Sequence, residues 1–234
     1  MSFGNGWHPV ALASDLEPGR SAGTRLFDRE LCIWRDAGGR PHAWEDRCPH
    51  RGMRLSFGFV RGDRIACLYH GWQYDTHGQC RLIPAHPDLD VPSTIRVATY
   101  PCFDRLGMLW VHSDATNETP LNLIIEEGDV APVRSLYIDC APAAAQQLLA
   151  KNSTNIGPAG VALLSIDAKG QNLIAGVQPF GNAKTALHIV IPGTPDEHRP
   201  AARSAAAIWA EELRRDLEQK SDSIPAPSFS EAAP

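Results

Sequence analysis

Two short stretches of the chain combine residue types that can hold metal: Cys48-Pro49-His50-Arg51-Gly52 and Cys67-Leu68-Tyr69-His70-Gly71-Trp72. Each offers one thiolate and one imidazole on a tight turn. Two such turns facing each other would present two sulfurs and two nitrogens, from Cys48, His50, Cys67 and His70. Soft thiolate and borderline imidazole donors narrow the choice to zinc or an iron-sulfur centre. Cys2His2 is a common structural zinc set, but zinc modules usually group like ligands along the chain, Cys with Cys and then His with His. Here each turn mixes the two types. That mixture favours a centre of two irons and two sulfides, in which one iron takes both cysteines and the other both histidines. A single zinc is the alternative.

Such turns need a rigid support, and the flanking sequence supplies strand signals. Trp7-His8-Pro9-Val10-Ala11-Leu12, Gly23 to Phe27 and Leu31 to Arg35 are short apolar runs separated by turn residues, with a hairpin expected at Asp36 to Gly39. This is the punctuation of an antiparallel β fold. Phe57-Gly58-Phe59-Val60, Asp63 to Cys67 and Trp72 to Asp75 read as strands that carry the second turn. Gly52 and Gly71 let the backbone approach a bound centre, and nearby N–H groups are expected to donate to its sulfurs. His8, His42, His77 and His86 lie outside the ligand spacing and read as packing or surface residues.

The segment from Trp7 to about His112 resembles the Rieske domain of ring-hydroxylating and demethylating oxygenases, in their large subunit. The resemblance rests on the two turns, on Gln73-Tyr74, on Trp7 to Ala11 and on Ile83-Pro84-Ala85. It implies a [2Fe-2S] cluster held by Cys48, His50, Cys67 and His70, with the histidine edges facing a neighbouring subunit's carboxylate. It also implies a flavin reductase or ferredoxin as electron donor. Respiratory members of the wider family place a serine where this chain has Trp72. Without that hydroxyl donor, the reduction potential is expected in the lower part of the Rieske range of roughly −150 to +300 mV.

The fold expected is mainly β with an α+β C-terminal part: a Rieske antiparallel β-sandwich, then a truncated helix-grip-like sheet and a terminal helix. The expected divisions are a Rieske domain at 1–112, a linker at 113–132, a degenerate oxygenase-like domain at 133–220 and a disordered tail at 221–234. In the second half a helix is expected over Ala141 to Lys151. Strands are expected at Val133 to Ile138, Val161 to Ile166, Asn172 to Val177 and Thr185 to Ile191, with a turn at Asp167 to Gly170. Arg199 to Gln219 reads as a long helix with Ala202, Ala205, Ala206, Trp209, Leu213 and Leu217 on one face.

An oxygenase large subunit would continue into a domain holding iron through two histidines and a carboxylate. Where its ligand helix is expected, Gln146 to Asn155 contains no histidine, and only His188 and His198 follow the linker. A mononuclear iron is therefore not expected. The first reading is an electron-transfer component that passes electrons to an iron-bearing partner subunit in a homo- or hetero-oligomer. The alternatives are a self-contained monooxygenase or demethylase with an atypical iron site from His188, Glu197 and His198, and a non-catalytic structural or regulatory subunit. A net charge of −5 argues against a general nucleic-acid surface. No sustained apolar span suggests a membrane, and the first residues lack the regions of a signal peptide, so the expected location is cytoplasmic. In such a reducing compartment Cys32, Cys80, Cys102 and Cys140 are expected as free thiols.

Overall fold

The structure is a computed structural model that describes residues 5–116, 120–123, 125, 128–156, 160–165, 172–181, 183–193 and 199–222. The strands of the first half are β1 (Trp7–Leu12), β2 (Ser21–Leu26), β3 (Arg29–Arg35), β4 (Pro41–Glu45), β5 (Phe59–Arg61), β6 (Arg64–Ala66), β7 (Gln73–Asp75), β8 (Cys80–Leu82), β9 (Thr99–Tyr100), β10 (Cys102–Arg105) and β11 (Met108–His112). The second half contains β12 (Val130–Ile138), α1 (Pro142–Asn152), β13 (Ser153–Ile156), β14 (Val161–Ser165), β15 (Asn172–Gly181), β16 (Lys184–Pro192) and α2 (Arg199–Asp222). Three antiparallel sheets build the first half, in the orders β1-β11-β10, β2-β3-β4-β9 and β5-β6-β7-β8. A five-stranded antiparallel sheet, β12-β16-β15-β14-β13, builds the second.

Period-two alternation along the buried strands separates the cores. On β3, Leu31 and Ile33 face Val10, Leu26, Leu109 and Val111, while Cys32 and Trp34 face Trp44, Leu55, Ile65 and Tyr74. The strand is thus a partition buried on both sides. In the second sheet Leu173, Ala175 and Val177 of β15, with Leu187, Ile189 and Ile191 of β16, pack under α1 and α2. The alternate residues Ile174 and Val190 turn towards Trp7, Leu12, Met108 and Trp110 of the first half. Gly176 lies on this second face, where a Cβ would stand 2.8 Å from Pro9 and 2.9 Å from Met108. The absent side chain lets the two halves touch.

Several details differ from the sequence reading. Phe57-Gly58 is not strand: Leu55–Phe57 forms a 3-10 turn, and a Cβ on Gly58 would lie 2.5 Å from the Ala66 carbonyl. The strand starts only at Phe59. The expected linker at 113–132 stops short, because Val130 already pairs with Pro192, and Leu121 is buried with Leu123 and Ile125 packed against the same core. The expected end of the second half at residue 220 falls within α2, which runs to Asp222. On α2 the buried line is Ala206, Ala210, Leu213 and Leu217, and Ala205 is exposed. Spacings of four, three and four keep one stripe straight, and Ala205 falls a residue's rotation away from it. The turn expected at Asp167 to Gly170, Ile166, and the tail at 223–234 lie outside the described residues. Among the described residues no helix is long and apolar enough to cross a membrane.

Candidate metal centre

The loop after β4 is folded back by a buried carboxylate. Asp46 accepts the Ser56 backbone N–H at 2.7 Å and the Ser56 hydroxyl at 2.6 Å. Within that frame Cys48 N–H donates to the Met53 carbonyl at 2.8 Å, and Gly52 N–H donates to the Cys48 carbonyl at 2.8 Å. The loop after β6 repeats the plan: Cys67 N–H donates to the Trp72 carbonyl at 2.9 Å, and Gly71 N–H to the Cys67 carbonyl at 3.0 Å. In each loop the glycine four residues after the cysteine closes the turn, with φ of 71° at Gly52 and 69° at Gly71. That left-handed conformation costs an L side chain about 1–2 kcal/mol. Pro84 backs the second loop, 3.2 Å from where a Gly71 Cβ would be. Pro84 is the middle residue of the Ile83-Pro84-Ala85 stretch singled out in the sequence.

The paired loops bring the four predicted residues to one end of the sheet β5-β6-β7-β8. Cys48 and Cys67 are 2% and 3% exposed and lie inside. His50 is half-buried and His70 exposed, with ring centroids 4.7 Å apart and planes at 64°. The set is therefore divided into an inner thiol pair and an outer imidazole pair. Among the described residues no three His, Cys, Asp or Glu side chains are grouped closely enough for one ion. A single tetrahedral zinc needs all four donors around one point, whereas a two-iron cluster takes two per metal, so this division suits the cluster.

Burial acts in opposite directions on the ligand forms of these groups, against the Cys67 thiolate and for the neutral His50 imidazole. Burial pushes the Cys67 thiol up, and the backbone N–H groups of Tyr69 and His70 point to its sulfur and oppose that rise. These two amides immediately precede Gly71, where sulfur donors are expected. Desolvation, then the neighbouring His70 and Arg51, holds His50 below the usual imidazole range, which keeps it neutral at pH 7 as metal binding requires. Trp72 lies flat on His50, with centroids 4.3 Å apart and planes 4° from parallel. Tyr69 tilts over His70 at 3.9 Å. Each imidazole is thus oriented by an aromatic ring of the second loop.

Tyr74 is the residue that the sequence reading missed. Its hydroxyl is 3.1 Å from Cys48 Sγ, in a buried setting. A donor to a ligating sulfur stabilises the more electron-rich reduced state. The signal was present in Gln73-Tyr74, but only β7 packing shows which way the ring points. For Tyr74→Phe we expect a midpoint potential lower by on the order of 40 mV. This corresponds to roughly 1 kcal/mol of hydrogen bonding in a one-electron couple. Redox titration followed by EPR checks it, and an unchanged midpoint would mean that the hydroxyl does not donate to the sulfur.

The other candidates are elsewhere. His77 and His86 are exposed, His8 is buried against Phe27, and His42 is stacked on Trp34 and paired with Asp36 at 3.2 Å. His188 is fully buried and hydrogen-bonded at both ring nitrogens, to Ser135 and Gln178. Glu197 and His198 lie outside the described residues. Cys32, Cys80, Cys102 and Cys140 are free thiols, and burial pushes all four up, away from reactivity.

Residues 6–101 match the Rieske [2Fe-2S] domain family. Among curated proteins, the chain is 38% identical over 121 residues to Oxidoreductase NdmD of Pseudomonas putida, covering 51% of this chain and 21% of that protein. It is 36% identical over 138 residues to Methylxanthine N1-demethylase NdmA of the same species, covering 52% of this chain and 39% of that one. The chain thus spans well under half the length of these relatives. Among solved structures, Pseudomonas putida CBB5 NdmA superposes with a TM-score of 0.73 at 22% identity, over 97% of this chain and 84% of that chain. Apo dicamba monooxygenase does so with a TM-score of 0.73 at 18% identity, over 93% and 86%. At these identities the structural likeness shows the fold, and it extends through the second half.

Proposed function

Residues 6–101 are a Rieske [2Fe-2S] domain related to those of the Rieske oxygenases, and from that premise we propose that this chain carries electrons as a component of an oxygenase system. Cys48, His50, Cys67 and His70 are the ligands in this reading. When bound, the cluster supplies a reversible one-electron couple. The observation that carries the reading is the split of the four side chains, with thiols buried and imidazole edges at the surface. Buried thiols keep water from the sulfur side, and the exposed histidine edges are where a partner can approach. Trp72 and Tyr69 hold those edges in place. A flavin reductase or ferredoxin donates, and an iron-bearing oxygenase subunit accepts across an oligomer interface.

The second half acts here as a scaffold without its own oxygen-activating iron, a degenerate relative of the oxygenase catalytic domain. Support comes from His188, whose two ring nitrogens are taken up by protein hydrogen bonds. Iron analysis, with reduction by a flavin reductase and mixing with an iron-bearing oxygenase, tests the reading. The expected result is two irons per chain and reoxidation only when the partner is present. A third iron with substrate turnover by the chain alone would establish the self-contained oxygenase instead. Reduction without reoxidation by any partner would make the cluster structural or regulatory.

A further inference from the structure

A cleft of about 350 Å³, lined by no residue of the two cysteine-bearing loops, lies where the β3–β4 turn, the β7–β8 turn and strands β9 and β10 meet. Its basic lining is Arg40, His42, His77 and Arg96, and no carboxylate is among the residues that line it. The two arginines place positive charge at this cleft on a chain whose net charge is −5. Neither arginine has an ion-pair partner among the described residues. Carboxylates stand behind the lining rather than in it: Asp36 lies 3.2 Å from His42, Asp75 accepts the His77 N–H, and Glu45 and Asp104 act on Tyr100 and Cys102 from outside the cleft. Tyr100 and Phe103 supply aromatic wall, and Phe103 is 49% exposed.

The basic groups are held in place. Asp75 accepts the His77 N–H at 3.0 Å, and Arg96 donates to the His77 carbonyl at 3.3 Å. Next to His77, Gly78 has φ of 77° and sits so close to Val97 that a Cβ would be 2.4 Å from its carbonyl oxygen. Val97 N–H donates to Gly78 at 2.8 Å, which locks this turn to the segment bearing Arg96. On the opposite wall the Arg40 backbone is tied to Asp36 at 2.9 Å, and His42 stacks on Trp34 at 4.4 Å. Burial holds the His42 imidazole below its usual range, and the nearby Arg40 charge acts in the same direction against the pull of Asp36.

We infer that this cleft binds a small organic acid with a single flat ring, its carboxylate or carboxylates held by Arg40 and Arg96 and its ring lying against Phe103 and Tyr100. The volume is at the lower end of the range of ligand pockets, roughly 300–1,000 Å³. It therefore accommodates one ring with one or two acid groups and is too small for a dinucleotide. Guanidinium forks suit carboxylates, which they engage through paired hydrogen bonds.

Calorimetric titration of the cluster-loaded full chain with phthalate tests this, beside cyclohexane-1,2-dicarboxylate and inorganic phosphate. We expect saturable one-to-one binding of phthalate, weakened roughly tenfold in both Arg40→Gln and Arg96→Gln. Phe103→Ala should weaken phthalate several-fold while leaving phosphate unchanged. An unaltered visible spectrum shows that each variant keeps its fold. All three positions are surface-facing, and Arg96→Lys, which keeps the charge and loses the fork, provides a further variant. Absence of saturable binding by phthalate, or equal affinity in the arginine variants, overturns the site. Equal binding of phthalate and the saturated dicarboxylate overturns the ring contact.

Discussion

Cys67→Ser is expected to abolish the cluster's visible absorption and EPR signal and to reduce iron content to background. Cys67 lies in the buried half of the proposed ligand set, with the N–H groups of Tyr69 and His70 directed at its sulfur. A serine hydroxyl in that position is a hard, protonated donor with no accessible anionic form near neutral pH, so one iron would lose half its protein ligands. The loss extends to stability, because the energy of metal binding is also folding energy for loops that otherwise bury two free thiols. The melting temperature should fall together with the spectrum. His86→Ala, at an exposed position outside the cluster loops, should leave both unchanged. If Cys67→Ser retained the Rieske spectrum, or His86→Ala removed it, the ligand assignment would be wrong.

Acidification is expected to weaken the seam between the two halves through His188. Its Nε2–H donates to Gln178 at 2.8 Å, and the Ser135 hydroxyl donates to Nδ1 at 2.9 Å. Gln178 in turn donates to Thr24 at 3.0 Å, and Thr24 to the Val10 carbonyl at 3.1 Å. Five residues thus form a buried polar chain from β12 and β16 through β15 into β2 and β1. Burial lowers the His188 pKa to about 3. The unfolded chain, with an imidazole pKa of about 6.5, binds the proton more readily than the folded chain between these values. The contribution is therefore complete above about pH 6.5 and declines as pH falls towards 3. Between about pH 7 and pH 5 the expected loss is about 2 kcal/mol.

Denaturant unfolding at the two pH values reads this loss directly. His188→Gln should be less stable at neutral pH, since it leaves part of the buried chain unsatisfied, and its stability should change much less with pH. His42 is also held down by burial and contributes in the same direction. It is present in both proteins, so the difference between their slopes isolates His188. Identical slopes would show that His188 is not the source.

The candidate ligand residues stand out in the sequence because their chemistry depends on type and spacing along a short stretch. Cys48 to Gly52 and Cys67 to Gly71 each close on themselves by local hydrogen bonds, and their glycines announce the positive φ that the turns need. The buried strands were legible for a similar reason. Alternation on β3, β15 and β16 follows from one residue facing each side of a sheet, and α2 from an apolar stripe. These are properties of neighbours in sequence.

Contacts across the chain were not legible. Tyr74 meets Cys48 across 26 positions, and Gln178 meets Thr24 across 154. Trp72 reads in sequence as a missing hydroxyl, yet in space it is the ring that lies on His50. His188 reads as a remote possible ligand, and packing makes it the centre of a buried seam. The cleft at Arg40 and Arg96 arises only where two hairpin turns from different sheets meet. Sequence by itself determined the candidate donor set and the strands that carry it, because local bonding and periodicity suffice for both. Tertiary structure alone decided the division of the donors, the groups that tune and orient them and the seam that joins the halves, since each depends on which surfaces of distant strands exclude water together.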